Sequence, residues 1–94
     1  METENQPKIE WVQKAIRELR QIDTRYQQAI RDKVNKLINF PQVPENLDIK
    51  HLEGSKYRLR HGDYRVFFEV IDEVPKIIQI QKVKRRTSQT YKNN

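Results

Sequence analysis

The chain has 94 residues, of which 35% are hydrophobic and 34% charged, it carries a formal net charge of +6, and it contains no cysteine. These properties exclude disulfides, thiolate metal sites and thiol nucleophiles, and no apolar stretch approaches the roughly 20 residues of a membrane span or forms the core of a signal peptide. We therefore expect one cytoplasmic domain over residues 1–94, with residues 1–6 as a disordered tail and with no membrane partner.

The first half of the chain predicts one strand followed by two helices. The segment "PKIEWV" alternates apolar residues after a proline, which indicates a short edge strand. Apolar residues then recur with a helical period over residues 12–22 and again over residues 26–38, until Pro41 ends the pattern. Thr24 and Gln27 have the spacing of a capping box, so we expect Thr24 to be the N-cap of the second helix. The two helices should form a hairpin.

The second half of the chain predicts an antiparallel sheet. The segment "NFPQVPENLD" contains two prolines and predicts a loop. Beyond it, Gly62 and Asp63 occupy the centre of a hairpin turn between two alternating segments, and "DEVPK" predicts a second turn before the strand "KIIQIQKV". We therefore expect an α+β fold in which an N-terminal strand and a helical hairpin pack on an antiparallel sheet, with three strands after the helices.

The turn at Gly62 and Asp63 fixes the register of the two strands beside it. With this register, one face of the hairpin is apolar and the opposite face carries the basic residues. The core face receives Tyr57, Leu59, Val66 and Phe68, and the opposite face receives Lys56, Arg58, Arg60, Arg65 and Phe67. Arg60 lies directly across from Arg65, which costs up to about 1 kcal/mol without a partner. Two partners could offset this repulsion: Glu69, in an ion-pair network, or an anionic ligand such as phosphate.

Charge is distributed unevenly along the chain. Residues 1–55 hold nine basic and nine acidic side chains, whereas residues 56–94 hold ten basic and four acidic ones. This segregation is typical of a surface for a polyanion, most often nucleic acid, although an acidic protein partner or a merely solvated surface is an alternative. The last strand adds Arg85, which alternation with Gln79 and Gln81 would place on the polar face of the sheet.

Two histidines are present, and neither belongs to a metal site. An unperturbed histidine titrates near neutral pH, so His61 beside the turn is a candidate acid or base. The register places His61 on the core side, and a structural role is the alternative. His51 is interpreted as structural or exposed. No group of His, Asp and Glu has metal-ligand spacing, and we expect neither a metal nor a cofactor.

The sequence resembles the RelE toxins of the RelE/ParE superfamily, the small toxic partners in bacterial and archaeal toxin–antitoxin pairs. The resemblance covers nearly the whole chain, and its most specific part is "YRLRHGDYRVFFEVID" followed by "KRRTSQTY". The segments "KIEWV" and "LEG" and the predicted helical hairpin also match. The order of the elements, the length and the placement of charge agree together with a small RelE-like domain.

The resemblance implies a cytoplasmic toxin that enters the A site of the 70S ribosome, cleaves mRNA without a metal and is held inactive by a cognate antitoxin. Carried over position by position, the catalytic residues of such toxins fall on Arg58, Arg60, Arg65, Arg85 and Tyr91. Further contacts with RNA are expected from Lys56, Lys82, Lys84 and Arg86. The RelE toxins have lysines where Arg58 and Arg60 stand here. Because a guanidinium is a poor proton acceptor, the identity of the general base is left open.

Two other functions are consistent with the same residues. A ParE-like toxin would inhibit DNA gyrase without nuclease activity, and a non-catalytic RNA-binding module would use the basic face for binding alone. The combination of Arg65, Arg85 and Tyr91 favours the nuclease, because a toxin that only binds a protein needs no phosphate-directed residues on a common face.

Overall fold

A computed structural model of the protein describes residues 6–86. Of the tail predicted at residues 1–6, residues 1–5 lie outside this range, as does Tyr91. The elements, in chain order, are β1 (Lys8–Trp11), α1 (Gln13–Arg20), α2 (Thr24–Asn35), a 3₁₀ turn (Lys36–Asn39), β2 (Asp48–Glu53), β3 (Lys56–His61), β4 (Tyr64–Glu73) and β5 (Lys76–Arg85). Within the described range, neither helix has both the length and the apolar character needed to cross a bilayer.

The five strands form one sheet in the order β1-β5-β4-β3-β2. β1 runs parallel to β5, and every other neighbouring pair is antiparallel. The predicted α+β class with a helical hairpin on a sheet is therefore confirmed. The sheet has four strands after the helices instead of the expected three, because Asp48–Glu53 forms a separate edge strand. Only Ile49 of this strand is partly buried, so the strand shows little of the alternation by which sequence predicts one.

The junction between the helices differs in detail from the prediction. Asp23 is the N-cap of α2, and its carboxylate accepts a hydrogen bond from the backbone N–H of Arg25 at 2.9 Å. Thr24 is the first helical residue, so the predicted capping box is wrong. The Gln27 side chain instead donates to the carbonyl oxygen of Ile22 at 2.7 Å. It therefore satisfies an acceptor just beyond the end of α1, where helical carbonyls lack intrahelical partners.

The core lies between the two helices and one face of the sheet. Its fully buried members on the sheet side include Leu59, Val66 and Phe68, as the register predicts. The helices contribute Ala15, Leu19, Ile30 and Val34, and the 3₁₀ turn contributes Leu37. We call this the inner face of the sheet and the opposite one the outer face.

The hairpin of β3 and β4 has the register that the sequence predicts at every pair. Tyr57, Arg58, Leu59, Arg60 and His61 pair with Phe68, Phe67, Val66, Arg65 and Tyr64, in that order. Gly62 adopts a φ of 57°, in the left-handed region that suits glycine in a tight turn. The four-residue turn and the alternating pattern on both sides therefore determined this part of the fold.

The pairing of β4 with β5 is interrupted twice, by an extra residue of β5 at Gln81 and by an extra residue of β4 at Ile71. Phe67 pairs with Lys82 and Phe68 pairs with Ile80, so Gln81 has no partner across the ladder and forms a β-bulge. A bulge shifts the alternation of side chains by one position along the strand. Beyond Gln81, the inner face therefore receives Val83, and the outer face receives Lys82 and Lys84.

Candidate functional site

The outer face carries two rows of basic residues near the Gly62–Asp63 turn. Cross-strand pairing builds the first row from Asp48, Arg60, Arg65 and Lys84, and the second from Lys50, Arg58, Phe67 and Lys82. Six cations and one carboxylate thus occupy neighbouring positions on four strands. We call this set the cationic face. The prediction that Arg58, Arg60 and Arg65 share one face of the sheet is confirmed.

Asp48 is the counterion of this face. Its carboxylate lies 2.8 Å from a terminal nitrogen of Arg60 and 3.3 Å from one of Arg58, and it also accepts a hydrogen bond from Nε of Arg60 at 2.9 Å. The Arg58 side chain is only 15% exposed, whereas Asp48 is 44% exposed. Both arginine heads are therefore held in fixed positions by one carboxylate on the neighbouring strand.

The ion-pair network with Glu69, one of the two alternatives for the arginines, does not form among the described residues. Glu69 instead accepts hydrogen bonds from Gln81 and from Ser55, both at 2.8 Å, and lies across from Lys56. Hydrogen bonds from Gln81 and Ser55, together with the charge of Lys56, hold the pKa of the Glu69 carboxyl below its ordinary value. Glu69 therefore holds the bulged residue Gln81 through a hydrogen bond. The carboxylate that pairs with Arg58 and Arg60 is Asp48.

The lowered pKa of Glu69 makes stability depend on pH. Its contribution is present above the ordinary pKa of about 4.3 and is lost as the pH falls through the lower folded-state value. We expect Glu69→Gln to be less stable than wild type at pH 7 and to approach wild-type stability as the pH falls through the lowered pKa of Glu69. Thermal melting at several pH values measures this difference. Ser55→Ala, which removes one of the two donors, should give a smaller effect; a constant difference across the pH range would contradict the assignment.

Arg65 differs from its two neighbours on the cationic face. It lies directly across from Arg60, and among the described residues it makes no ion pair and no side-chain hydrogen bond. Among the described residues its Nε atom is buried without a hydrogen-bond partner, as is that of Arg58, so the missing ion pair is what distinguishes Arg65. Because no carboxylate in the described part of the chain neutralises this guanidinium, its charge is available to an anionic ligand.

Lys82 and Lys84 are the members of the two rows on β5. Lys82 lies over the ring of Phe67, with its ammonium 5.3 Å from the ring centroid. Lys84 pairs with Arg65 across the ladder and lies 3.9 Å from a carboxylate oxygen of Glu18 on α1. Of the other predicted RNA contacts, Lys56 lies across from Glu69, and the backbone N–H of Arg86 donates to the carbonyl of Asp63 at 2.6 Å.

Arg85 is not on the cationic face, and that part of the prediction is wrong. The bulge at Gln81 reverses the alternation, so Arg85 pairs with Tyr64 on the inner face. Its guanidinium lies 5.9 Å from the centroid of the Tyr64 ring. Gln79 and Gln81 do share the outer face with Glu69, as their hydrogen bonds show. Arg85 and Arg65 therefore lie at the same end of the sheet but on opposite sides of it.

His61 also lies on the inner face, as its parity predicts. It pairs with Tyr64 across the hairpin, and in the part of the chain that the structure describes its Nδ1 atom is buried without a hydrogen-bond partner. Burial, and the positive charge of Lys33 on α2, lower the pKa of the imidazole. His51 is exposed, and its Nε2 lies 2.7 Å from the carbonyl of Gly54, consistent with the structural role expected of it. Within residues 6–86, no cluster of three or more His, Cys, Asp or Glu side chains could hold a metal.

Sequence reasoning missed two members of the cationic face, Asp48 and Lys50. Both belong to β2, an edge strand whose residues are mostly exposed and therefore show little of the alternation that predicts a strand. Their signal was the alternation of charged residues around Ile49 in "DIK", which is weak by itself. Once β2 is placed beside β3, however, the pairing of Asp48 with Arg60 and of Lys50 with Arg58 follows from the register.

Asp48 should limit the affinity of the cationic face for polyanions. Asp48→Asn removes the one carboxylate that the described residues place on the cationic face and frees Arg58 and Arg60, so we expect single-stranded RNA to bind more tightly and with a steeper dependence on salt. Fluorescence anisotropy with a labelled oligoribonucleotide at several salt concentrations measures both. The matched control is Asp72→Asn, which makes the same charge change at the opposite end of β4. Equal effects of the two substitutions would show that net charge alone decides binding.

Comparison with known sequences identifies the family. The model of the family described as "ParE toxin of type II toxin-antitoxin system, parDE" matches residues 9–89. The chain belongs to this toxin family, within the RelE/ParE superfamily. No curated protein sequence gives a significant match to this toxin.

Solved structures of RelE/ParE toxins share the fold. RelE from the archaeal RelE–RelB complex of Pyrococcus horikoshii is 26% identical, with a TM-score of 0.75 over 88% of this toxin and 98% of that chain. The isolated RelE toxin of E. coli is 19% identical, with a TM-score of 0.69 over 90% of both chains. YafQ of E. coli is 14% identical, with a TM-score of 0.65 over 93% of this toxin and 99% of that chain. The predicted RelE-like fold is thereby confirmed, and the chain is a toxin of a type II toxin–antitoxin system.

Proposed function

We propose that this toxin is a ribosome-dependent mRNA endonuclease that inhibits translation. The observation that carries the proposal is Arg65, an arginine without an anion partner in the described chain, at the centre of the cationic face. A guanidinium offers two parallel donors that match the oxygens of a phosphate. The similarity to RelE and YafQ supports the same conclusion through the activity that the resemblance implies.

The chemistry suits a site made of arginines. The 2′-hydroxyl of the RNA attacks the adjacent phosphorus, a bond forms from the 2′ oxygen, and the bond to the 5′ oxygen of the next nucleotide breaks. The 2′ oxygen loses a proton and the leaving 5′ oxygen gains one. Negative charge accumulates on the phosphate oxygens between these events, and fixed cationic donors stabilise it.

The residues of the cationic face have different roles in this reaction. Arg65 binds the scissile phosphate directly. Arg58 and Arg60, which Asp48 holds in place, donate to the same phosphate or to its neighbour. Lys82 and Lys84, together with Lys56 and Arg86, attract the RNA backbone and make binding sensitive to salt.

Proton transfer is assigned away from the arginines, since a guanidinium stays protonated at neutral pH. His61 lies on the inner face, across the sheet from Arg65, and the proposal therefore gives it no part in proton transfer. Tyr91, which the resemblance places in the catalytic set, lies outside the described residues and stays a prediction. Arg85 keeps a role in RNA binding from the inner side of the same sheet end.

A cognate antitoxin is the proposed partner in the resting state. RelE proteins occur with RelB in the complexes from Pyrococcus horikoshii and Methanococcus jannaschii. A segment with acidic and apolar residues would neutralise the cationic face while it folds on binding. Co-expression with the product of the neighbouring gene should abolish toxicity and yield a stable complex. Unchanged toxicity and no isolable complex would contradict this partner.

The alternative function is inhibition of DNA gyrase. The description of the matching family as a ParE toxin favours it. This activity would need the fold and the antitoxin but no cleavage of RNA. The cationic face would then bind an acidic protein surface or DNA.

One experiment separates the two functions. The toxin is induced in growing cells, new 5′ ends of messenger RNA are mapped, and double-strand breaks in DNA are measured in the same cultures. We expect cuts within translated codons that disappear when initiation is blocked before induction. Breaks in DNA with intact messengers would establish the gyrase inhibitor instead.

A further inference from the structure

A small pocket on the inner face plays no part in the cleavage step proposed above. It has a volume of about 230 Å³ and lies at the hairpin end of the sheet, under the N-terminal part of α2. Its lining consists of Tyr26, His61, Gly62, Asp63, Tyr64 and Arg85. We call it the tyrosine pocket.

Two aromatic rings form its apolar wall. The centroids of Tyr26 and Tyr64 are 5.7 Å apart, and the ring planes are tilted by 42°. Tyr64 is 8% exposed, whereas Tyr26 is 37% exposed and is one of the large hydrophobic residues at the surface. The pocket therefore offers one fixed ring and one accessible ring to a flat ligand.

An arginine guanidinium lies near each of the two rings. The guanidinium of Arg25 lies 5.2 Å from the centroid of Tyr26, and that of Arg85 lies 5.9 Å from the centroid of Tyr64. Arg25 is engaged by Asp23 through a 3.1 Å ion pair. Arg85 has no ion pair within residues 6–86, so it is the cation that remains available beside the pocket.

A polar group with unused hydrogen-bonding capacity lies in the same pocket. Within residues 6–86 the Nδ1 atom of His61 is buried and has no hydrogen-bond partner, so a ligand in the pocket would meet the other ring nitrogen, Nε2. Burial and the charge of Lys33 favour the neutral imidazole, which offers one donor and one acceptor. The Gly62–Asp63 turn, whose backbone is free of side-chain bulk at Gly62, forms the adjoining wall.

We propose that the tyrosine pocket binds one nucleobase of single-stranded RNA, next to the phosphate that Arg65 holds. This inference rests on the proposed function and extends it to a site that selects the base. Aromatic rings stack on the face of any base, and a hydrogen-bonding group at the base edge then discriminates among them. His61 supplies the edge contact, and Arg85 binds the phosphate that enters with the nucleotide.

The geometry links the pocket to the cationic face. Tyr64 and Arg65 are consecutive residues of β4, and their side chains leave the strand on opposite faces. A strand of RNA that passes over the hairpin end therefore meets Arg65 on one side and the pocket on the other. One nucleotide can then contribute its phosphate to the cationic face and a neighbouring nucleotide its base to the pocket.

The test is a titration of the isotope-labelled full chain with each of the four nucleoside 5′-monophosphates, followed by nuclear magnetic resonance. Ribose 5-phosphate, which lacks the base, is the control ligand. We expect the monophosphates to shift the amide signals of Gly62 and Asp63 and the ring signals of His61, with affinities that differ among the four bases. Ribose 5-phosphate, which can meet only Arg85, should bind more weakly and shift these signals less than any of the four monophosphates.

Variants of Tyr26 make the test specific. Tyr26→Ala should weaken binding about 5- to 30-fold, as loss of one stacked ring does, whereas Tyr26→Phe should keep it within about two-fold. Thermal melting of both variants checks the fold, and Tyr26→Phe preserves the packing on Tyr64 if Tyr26→Ala does not. Equal binding of ribose 5-phosphate, unchanged binding by a folded Tyr26→Ala, or tighter binding of N-acetylphenylalaninamide at these residues would overturn the proposal; the last result would assign the pocket to a protein side chain.

Failure of this inference is distinguishable from failure of the proposed function, because the titration uses no ribosome and no cleavage. Specific shifts in a toxin that cuts no messenger would leave a base-binding pocket without a nuclease. Cleavage by a toxin whose pocket ignores all four monophosphates would leave the nuclease and remove the pocket.

Discussion

Arg65→Ala should reduce cleavage of messenger RNA in ribosome complexes about 100-fold, which corresponds to a loss of about 3 kcal/mol of transition-state stabilisation. The expected effect is large because Arg65 has no anion partner in the described chain, so its charge is available to the phosphate. The loss should fall on the rate of the chemical step and much less on ribosome binding, to which Lys82, Lys84 and the other basic residues contribute. Single-turnover cleavage of programmed ribosomes measures the rate, and co-sedimentation measures binding.

Stability should change by less than about 1 kcal/mol, since Arg65 makes no ion pair within residues 6–86. Arg17→Ala is the matched control, because Arg17 is an exposed arginine on α1 and the substitution changes the net charge equally. Arg65→Lys keeps the charge but removes the planar fork, and we expect an intermediate rate. Cleavage by Arg65→Ala at the wild-type rate would remove Arg65 from the active site, and unfolding of this variant would assign it a structural role instead.

Phe68→Ala should destabilise the toxin by about 3–5 kcal/mol. Phe68 is 1% exposed, and its ring lies 5.5 Å from the rings of both Phe40 and Tyr57, stacked on the latter. Truncation would leave a cavity among side chains that the strands and the 3₁₀ turn hold in place. A domain of this size has a total stability of about 5–15 kcal/mol, so the loss removes a large part of it. The melting temperature should fall by on the order of 15 °C or more.

The neighbouring residue supplies the control. Phe67 is the same residue type, one position earlier on β4, but its side chain lies on the outer face beside Lys82. Phe67→Ala should cost less than about 1 kcal/mol. Thermal and urea denaturation of the two variants compare the two faces of one strand directly. Similar losses would mean that the outer face is covered by a further part of the molecule.

The hairpin of β3 and β4 could be predicted residue by residue because two independent constraints act on it. Gly62 and Asp63 define the turn, and alternation defines which side chains are buried. A register error of one residue would have buried Arg58 and Arg60, so the sequence allows one solution. The three arginines of the cationic face were therefore found correctly.

The parts that could not be predicted depend on contacts between distant segments. Asp48 becomes the counterion of Arg58 and Arg60 only when β2 pairs with β3. The residues of this exposed edge strand show too little alternation of apolar and polar side chains to predict that pairing from the sequence. The position of Arg85 depends on a bulge, which no local pattern in "IIQIQKVK" requires. Glu69, which was considered as the counterion, is engaged by Ser55 and Gln81.

The bulge at Gln81 also bears on which changes of length the last strand tolerates. Because Gln81 is the extra residue, a chain that lacked this one position would pair as a regular strand, with Ile80 and Val83 still inside and Lys82 and Lys84 still outside. Loss of Val83 would instead turn Lys84 towards the helices. Single-residue deletions in related toxins are therefore compatible with the same two faces at Gln81 or Lys82 and incompatible with them at Val83.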